Sequence, residues 1–152
     1  ASTPTQAPSP IQGSGTGYIN ASSLDIVTAS SVILTGSNSI TTLGSVNVGN
    51  LTLDDNAPLT IAGPFTATSA SLTDTSAGGF DITGAVSATG SLSLDANAGT
   101  ISNSGSGTGY INASSLDIVT ASSVILTGSN SITTLGSISW RTRHVGRQSA
   151  LT

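Results

Sequence analysis

"LTIAGPFTAT" (residues 59–68) and "FDITGAVSAT" (residues 80–89) lie 21 positions apart and share a frame rather than a sequence. In each, an apolar–polar–apolar triplet is followed by a glycine and then by a second alternating triplet. Leu59, Ile61, Phe65 and Ala67 correspond to Phe80, Ile82, Val86 and Ala88, while the polar letters between them change. Alternation with period two marks a strand buried on one face. A frame that returns after about twenty residues marks a stacked repeat, because one coil cannot bury its inward row alone and its neighbours supply the cover.

Working outward from these stretches, three rows emerge. The first holds Val32-x-Leu34, Leu51-x-Leu53, Leu72 and Leu92-x-Leu94. The second holds Ile40, Leu59-x-Ile61, Phe80-x-Ile82 and Ile101. The third holds Val46-x-Val48, Phe65-x-Ala67 and Val86-x-Ala88, preceded by Gly44, Gly63 and Gly84. Helix is disfavoured, since Gly, Ser, Thr and β-branched residues dominate and Ala follows no 3.6-residue face. The expected fold is therefore all-β: a β-solenoid with about twenty residues and three short strands per coil. The three glycines are expected to allow a corner with positive φ or a close approach of the backbone.

Gly13–Ser45 recurs letter for letter as Gly105–Ser137, offset by 92 positions. Taking Val124 as the successor of Leu92 gives a coil of 32 residues, an excess of about twelve over the others. That excess is assigned to an outward loop, "SNSGSGTG" at 102–109, with a hinge between two stacks as the alternative. The expected organisation is a Pro/Ser/Thr-rich linker at 1–12, solenoid repeats over 13–139 and an atypical basic tail at 140–152. In the tail, Arg143 falls where the offset would place Leu51, and Leu151-Thr152 where it would place Leu59-Thr60. Residues 140–148 are accordingly read as a shifted reading frame, an unrelated end segment or a polar cap.

Composition limits the function classes. The chain has no Lys, Glu or Cys, and its arginines, its His and its Trp all lie within 140–152. A net charge of −4 offers no basic face for nucleic acid. No apolar run reaches the roughly 18 residues needed to span a bilayer as a helix. The chain opens on Ala1, which reads as a processed chain or a fragment, and its first ten residues lack the pattern of a signal peptide. Without Cys there is neither disulfide nor thiolate metal site.

Motifs for chemistry are weak. His144 has no secure partner for a nucleophilic triad. "GSGTG" lacks the Lys of a phosphate loop, and "DTSAGG" (Asp74–Gly79) lacks the glycine of an aspartic-protease element. Asp54, Asp74 and Asp95 each follow the first row and are read as three Asx turns; the alternative is that they stack in one column as candidate Ca²⁺ ligands. Asn38, Asn56 and Asn97 occupy the next part of the same turn and are candidates for an amide ladder. Asn20, Asn50 and Asn112 fit the short N-x-[ST] glycosylation pattern. Thr52, Thr73 and Ser93 form an irregular outward row, the basis of an ice-binding alternative. Tyr18, Tyr110 and Trp140 are too few for a glycan platform, and Phe65 and Phe80 read as core.

"NSITTLGSVNVGNLTLDDNAPLTIAGPFTAT" and "GGFDITGAVSATGSLSLDANAGTISN" resemble passenger repeats of filamentous-haemagglutinin-like, β-strand-repeat adhesins of two-partner secretion and autotransporter systems. The resemblance covers residues 18–139 and rests on a repeated style, not on a site. It implies a right-handed parallel β-helix, export to the bacterial surface or beyond, and contact with a host-cell surface, glycan or biofilm matrix. It carries over no functional residue. The expectation is a non-catalytic, cofactor-free stalk segment of a secreted or outer-membrane-surface exoprotein, stacked on adjacent coils of a longer chain. The rivals are a non-functional gene fragment of such a protein, a β-helix polysaccharide-active enzyme and an ice-binding solenoid.

Overall fold

The computed structural model describes residues 11–13, 17–103 and 109–140. Among these there is no helix. Ten strands form one sheet: β1 Ile11–Gly13, β2 Asn20–Asp55, β3 Leu59–Ile61, β4 Phe65–Asp74, β5 Gly79–Ile82, β6 Ala85–Asp95, β7 Thr100–Ser102, β8 Tyr110–Ala121, β9 Ser123–Ile125 and β10 Ser131–Trp140. Every pairing between them is parallel. One branch of the sheet runs β2-β4-β6-β8-β10 and the other β2-β3-β5-β7-β9, so β2 serves both. It can do so because it winds round the axis and stacks on itself: the Ser39 N–H donates to the Ile19 carbonyl at 2.8 Å, a step of twenty residues. This is a β-solenoid.

The inward rows coincide with the alternating apolar residues. Leu51, Ala70, Leu92 and Leu116 stack in register, as do Leu53, Leu72, Leu94 and Ile118. Val46, Phe65, Val86 and Ile111 form a third-row column, and Leu59, Phe80, Ile101 and Val124 a second-row column. Apart from Val124, which is only partly buried at the end of the stack, all of these are buried. Burying each large side chain stabilises by about 1.5–3 kcal/mol, but only once the coils above and below are in place. In the first row, the sequence had marked the third coil by Leu72 alone. Ala70 sits beside it, too small to register as an apolar signal yet buried between Leu51 and Leu92.

The two identical strings do not occupy equivalent places. Leu92 is followed in its column by Leu116, 24 residues on, not by Val124. Val124 instead lies beneath Ile101 in the second row. Inside each copy the stacking is the same: the Ile19 N–H donates to Asn38 Oδ1 and the Ile111 N–H to Asn130 Oδ1, each at 2.9 Å. Among the described residues, the second copy is turned by about one row relative to the first. The reason is burial. A twelve-residue excursion would leave Ile111 and its neighbours in solvent, whereas the rotated phase fully buries Ile111, Leu116 and Ile118. The rows are chemically alike, so any alternating triplet can fill any of them. The loop is correspondingly shorter than expected: Ser102 still belongs to β7, and Asn103 is buried.

Gly44, Gly63 and Gly84 do not have positive φ; the positive-φ glycine among the described residues is Gly79, at 82°. What excludes a side chain at Gly63 and Gly84 is the backbone of the coil above, since a Cβ there would overlap Gly44 and Ala62 respectively. Ile11–Gly13 pair with Val32–Leu34, so the ladder starts inside the segment assigned to the linker. The rest of that linker expectation, and the tail expectations for Arg143, His144 and Leu151, lie outside the described residues.

Candidate functional site

Asp54, Asp74 and Asp95 do not share one column. Asp54 stands opposite Thr73, and Thr73 opposite Asp95, while Asp74 stands opposite Asp55 in the neighbouring column. The step from Asp54 is 19 residues and lands on Thr73. A slip of one residue moves a side chain to the other face of a strand. Asp74 is therefore inward and buried, while Asp54 and Asp95 are only partly buried. Among the described residues no group of three or more His, Cys, Asp or Glu side chains gathers in metal-binding geometry.

Slippage of register instead builds a polar corner inside the stack from Asn38, Asp55 and Asp74, all buried. Asn38 satisfies it on one side. Its Oδ1 accepts from Ile19 N, and its Nδ2 donates to the carbonyls of Leu34 (3.0 Å), Gly36 (3.2 Å) and Asp54 (2.8 Å). Asp74 accepts from Ser76 N at 2.7 Å through Oδ1 and from Gly79 N through Oδ2, which closes the turn before β5. Asp55 Oδ1 accepts from Ile40 N at 3.0 Å, but its Oδ2 is buried with no partner. Burial pushes the Asp55 carboxyl above the usual carboxylate range and the charge of Asp74 adds to that, against the backbone N–H groups of Ile40, Asn56 and Ala57.

The expected Asx turns form at Asp74 and Asp95, whose Oδ1 atoms accept from the N–H two residues on; after Asp54 the Asn56 N–H donates to the Asn38 carbonyl instead. Asp95 also accepts from the Thr120 hydroxyl of the next coil. Asn38, Asn56 and Asn97 do not line up as a ladder, because Asn38 is buried and bonds to backbone groups while Asn56 and Asn97 are exposed. A different amide pair does form: Asn103 Nδ2 donates to Asn130 Oδ1 at 2.6 Å, and Asn103 Oδ1 accepts from Gly128 N at 3.1 Å. The sequence places Asn103 in the loop at 102–109. The only signal for it was its place two residues after Ile101, where the alternation calls for an inward residue.

Outward rows are short and chemically mixed. Thr52 continues as Ser71, Ser93 and Asp117, while Thr73, expected in that row, belongs to the Asp54 column. On the second face Thr60 continues as Asp81 and Ser102, with the Ser102 hydroxyl donating to Asp81 at 3.2 Å. A regular threonine plane is therefore absent from these two rows. Asn20, Asn50 and Asn112, the three glycosylation-pattern residues, are all exposed. Tyr18 and Val27 of the first copy and Tyr110 and Val119 of the second are exposed as well. The surface has shallow grooves, among them one of 160 Å³ between Thr35, Asp54 and Thr75 and one of 330 Å³ between Val27, Asn47 and Pro64. The first of these is smaller than the roughly 300–1,000 Å³ of ligand sites and the second only reaches its lower end.

Comparison with family models, with characterised proteins and with solved structures found no match.

Proposed function

We propose that this chain is a structural stalk segment of a secreted or surface-exposed bacterial exoprotein, with reach as its contribution and no catalytic step of its own. The observation that carries this is the placement of the duplicated string. Its inward residues are buried in both copies wherever coils cover them, yet its outward residues emerge on different faces. In the first copy Val27 stands beside Val46 of the third row, whereas in the second the neighbouring Ile118 lies in the first row, beneath Leu94. Copying a ligand site would need its outward residues to keep their face. Copying length needs only that the inward rows stay filled, and that is what the duplication preserves. Resemblance to adhesin passenger repeats supports the same reading. The contacts proposed for the rod are a host-cell surface, a glycan or a biofilm matrix.

The test is to insert a further 92-residue unit and measure the particle by small-angle scattering. Each coil adds about 4.8 Å along the axis. The extended chain is expected to lengthen by rather more than four such steps at constant cross-section, and antibody against it should label the outside of producing cells. An extended chain that unfolds or thickens instead of lengthening, or one confined to the cell interior, refutes the proposal.

A further inference from the structure

Two carboxylates lie in neighbouring coils inside the stack. Asp55 of β2 and Asp74 of β4 are register partners, so their backbones stand about 4.8 Å apart, and the residues are 1 % and 0 % exposed. Like charges buried at such a separation repel, and each has also lost its hydration. No basic side chain relieves them: among the described residues there is no Lys, Arg or His. Asp74 is the charged group that acts on Asp55. Asp54 lies on the opposite face of β2, and Asp95 stands opposite Thr73. β3 and β5 bury only apolar side chains here, Leu59, Ile61, Phe80 and Ile82.

The two carboxyls are not equivalent. Both Asp74 oxygens accept backbone N–H groups, from Ser76 and from Gly79. Asp55 Oδ1 accepts from Ile40 N, and its Oδ2 is buried with no partner. Oδ2 is thus the one oxygen of the pair with no N–H turned towards it, which is where a hydrogen fits. Asp55 also borders the 160 Å³ groove with Thr35, Ser37, Asn56 and Thr75, so solvent reaches the rim of the corner.

We infer that Asp55 and Asp74 form a proton-operated latch. With one proton on the pair, carried by Asp55 Oδ2, both side chains stay inward and Asp55 holds the Ile40 N–H. When that proton passes to water, Asp55 turns out towards the groove, Ile40 N loses its acceptor, and the segment Asn38–Ile40 opens while the apolar rows stay closed. The closed state belongs to acid and the open state to higher pH, since burial and the charge of Asp74 both raise the Asp55 carboxyl. This goes beyond the stalk reading and rests on the fold alone.

The experiment is hydrogen exchange of the full chain over a pH series, read by nuclear magnetic resonance as protection relative to the unstructured rate. Ile40 N should lose protection by up to about tenfold per pH unit above the Asp55 titration, while Leu92 and Leu94 in β6 keep theirs. The ¹³C signal of the Asp55 carboxyl should titrate at the same midpoint. Asp55→Asn keeps an acceptor for Ile40 N and places amide hydrogens where the proton sits, so its Ile40 protection should not change with pH. If that variant does not fold, the coincidence of the two midpoints in the unaltered chain carries the test. Ile40 protection that ignores pH overturns the inference, as does a fall that persists in Asp55→Asn or one that Leu92 and Leu94 share. Protection restored at high pH by added Ca²⁺ would show a cation, not a proton, neutralising the pair, and overturns it too. Any of these leaves the stalk reading standing.

Discussion

Leu43 and Leu135 allow one substitution to be made twice in the same local sequence. Leu43 is fully enclosed, with Ile61 paired beneath it, so Leu43→Ala removes buried methyl groups and leaves a cavity that the stacked backbones cannot collapse around. The expected loss is about 3–5 kcal/mol. Leu135 is already 56 % exposed, so truncation forfeits less than half of a transfer term of about 1.5–3 kcal/mol and opens no enclosed cavity, a loss of about 1 kcal/mol. Urea unfolding of the full chain, followed by circular dichroism under dilute conditions, measures both. With a slope of about 1–3 kcal/mol per molar urea, the two midpoints should differ by about 0.7–4 M. Equal losses at the two sites would refute the reasoning, for they would mean that the last turn is covered as completely as the second. A small loss at Leu43 would remove the support for the stacked rows themselves.

Two further outcomes are expected. Asp55 has its folded-state carboxyl raised above the unfolded value near 3.8, so its contribution to stability is fully present in acid and is lost as the pH rises through the raised value. Asp55→Asn keeps an acceptor for Ile40 N and removes the buried charge; it should flatten the fall in urea midpoint between acid and neutral pH, and an unchanged pH profile would contradict the account of the corner. Asn38→Ala leaves Ile19 N and the carbonyls of Leu34 and Asp54 without the partner described above, for a loss of about 3 kcal/mol or more. Asn38→Asp should not restore it, because a carboxylate has no Nδ2 hydrogens to donate; rescue by Asp would show that the donor side of Asn38 is dispensable.

Fold class was legible because two periods coexist in the sequence. Alternation of Leu59, Ile61, Phe65 and Ala67 sets strands with one buried face, and its return at Phe80, Ile82, Val86 and Ala88 sets the stack. Both aromatic core residues were readable in the same way. The candidate site was not. Coil lengths vary from 18 residues between Leu43 and Ile61 to 25 between Val86 and Ile111, so a fixed period misplaces residues by one or more positions per coil. Hydrophobic rows survive that error, since a large side chain two positions away still marks the row. Acidic residues do not, since Asp54 and Asp55 are adjacent and face opposite ways.

From the sequence alone come the strand character, the coil of about twenty residues, the identity of most inward side chains and the lack of basic surface outside 140–152. Tertiary structure alone decided that Asp55 and Asp74 face inward, that Asn103 joins the core, and that the second copy of a verbatim string is turned onto other faces. The physical reason is that local alternation specifies which side of a strand is apolar, whereas the three rows it can fill are nearly equivalent. Which one a triplet enters depends on the lengths of all the coils before it and on the burial they leave to be completed.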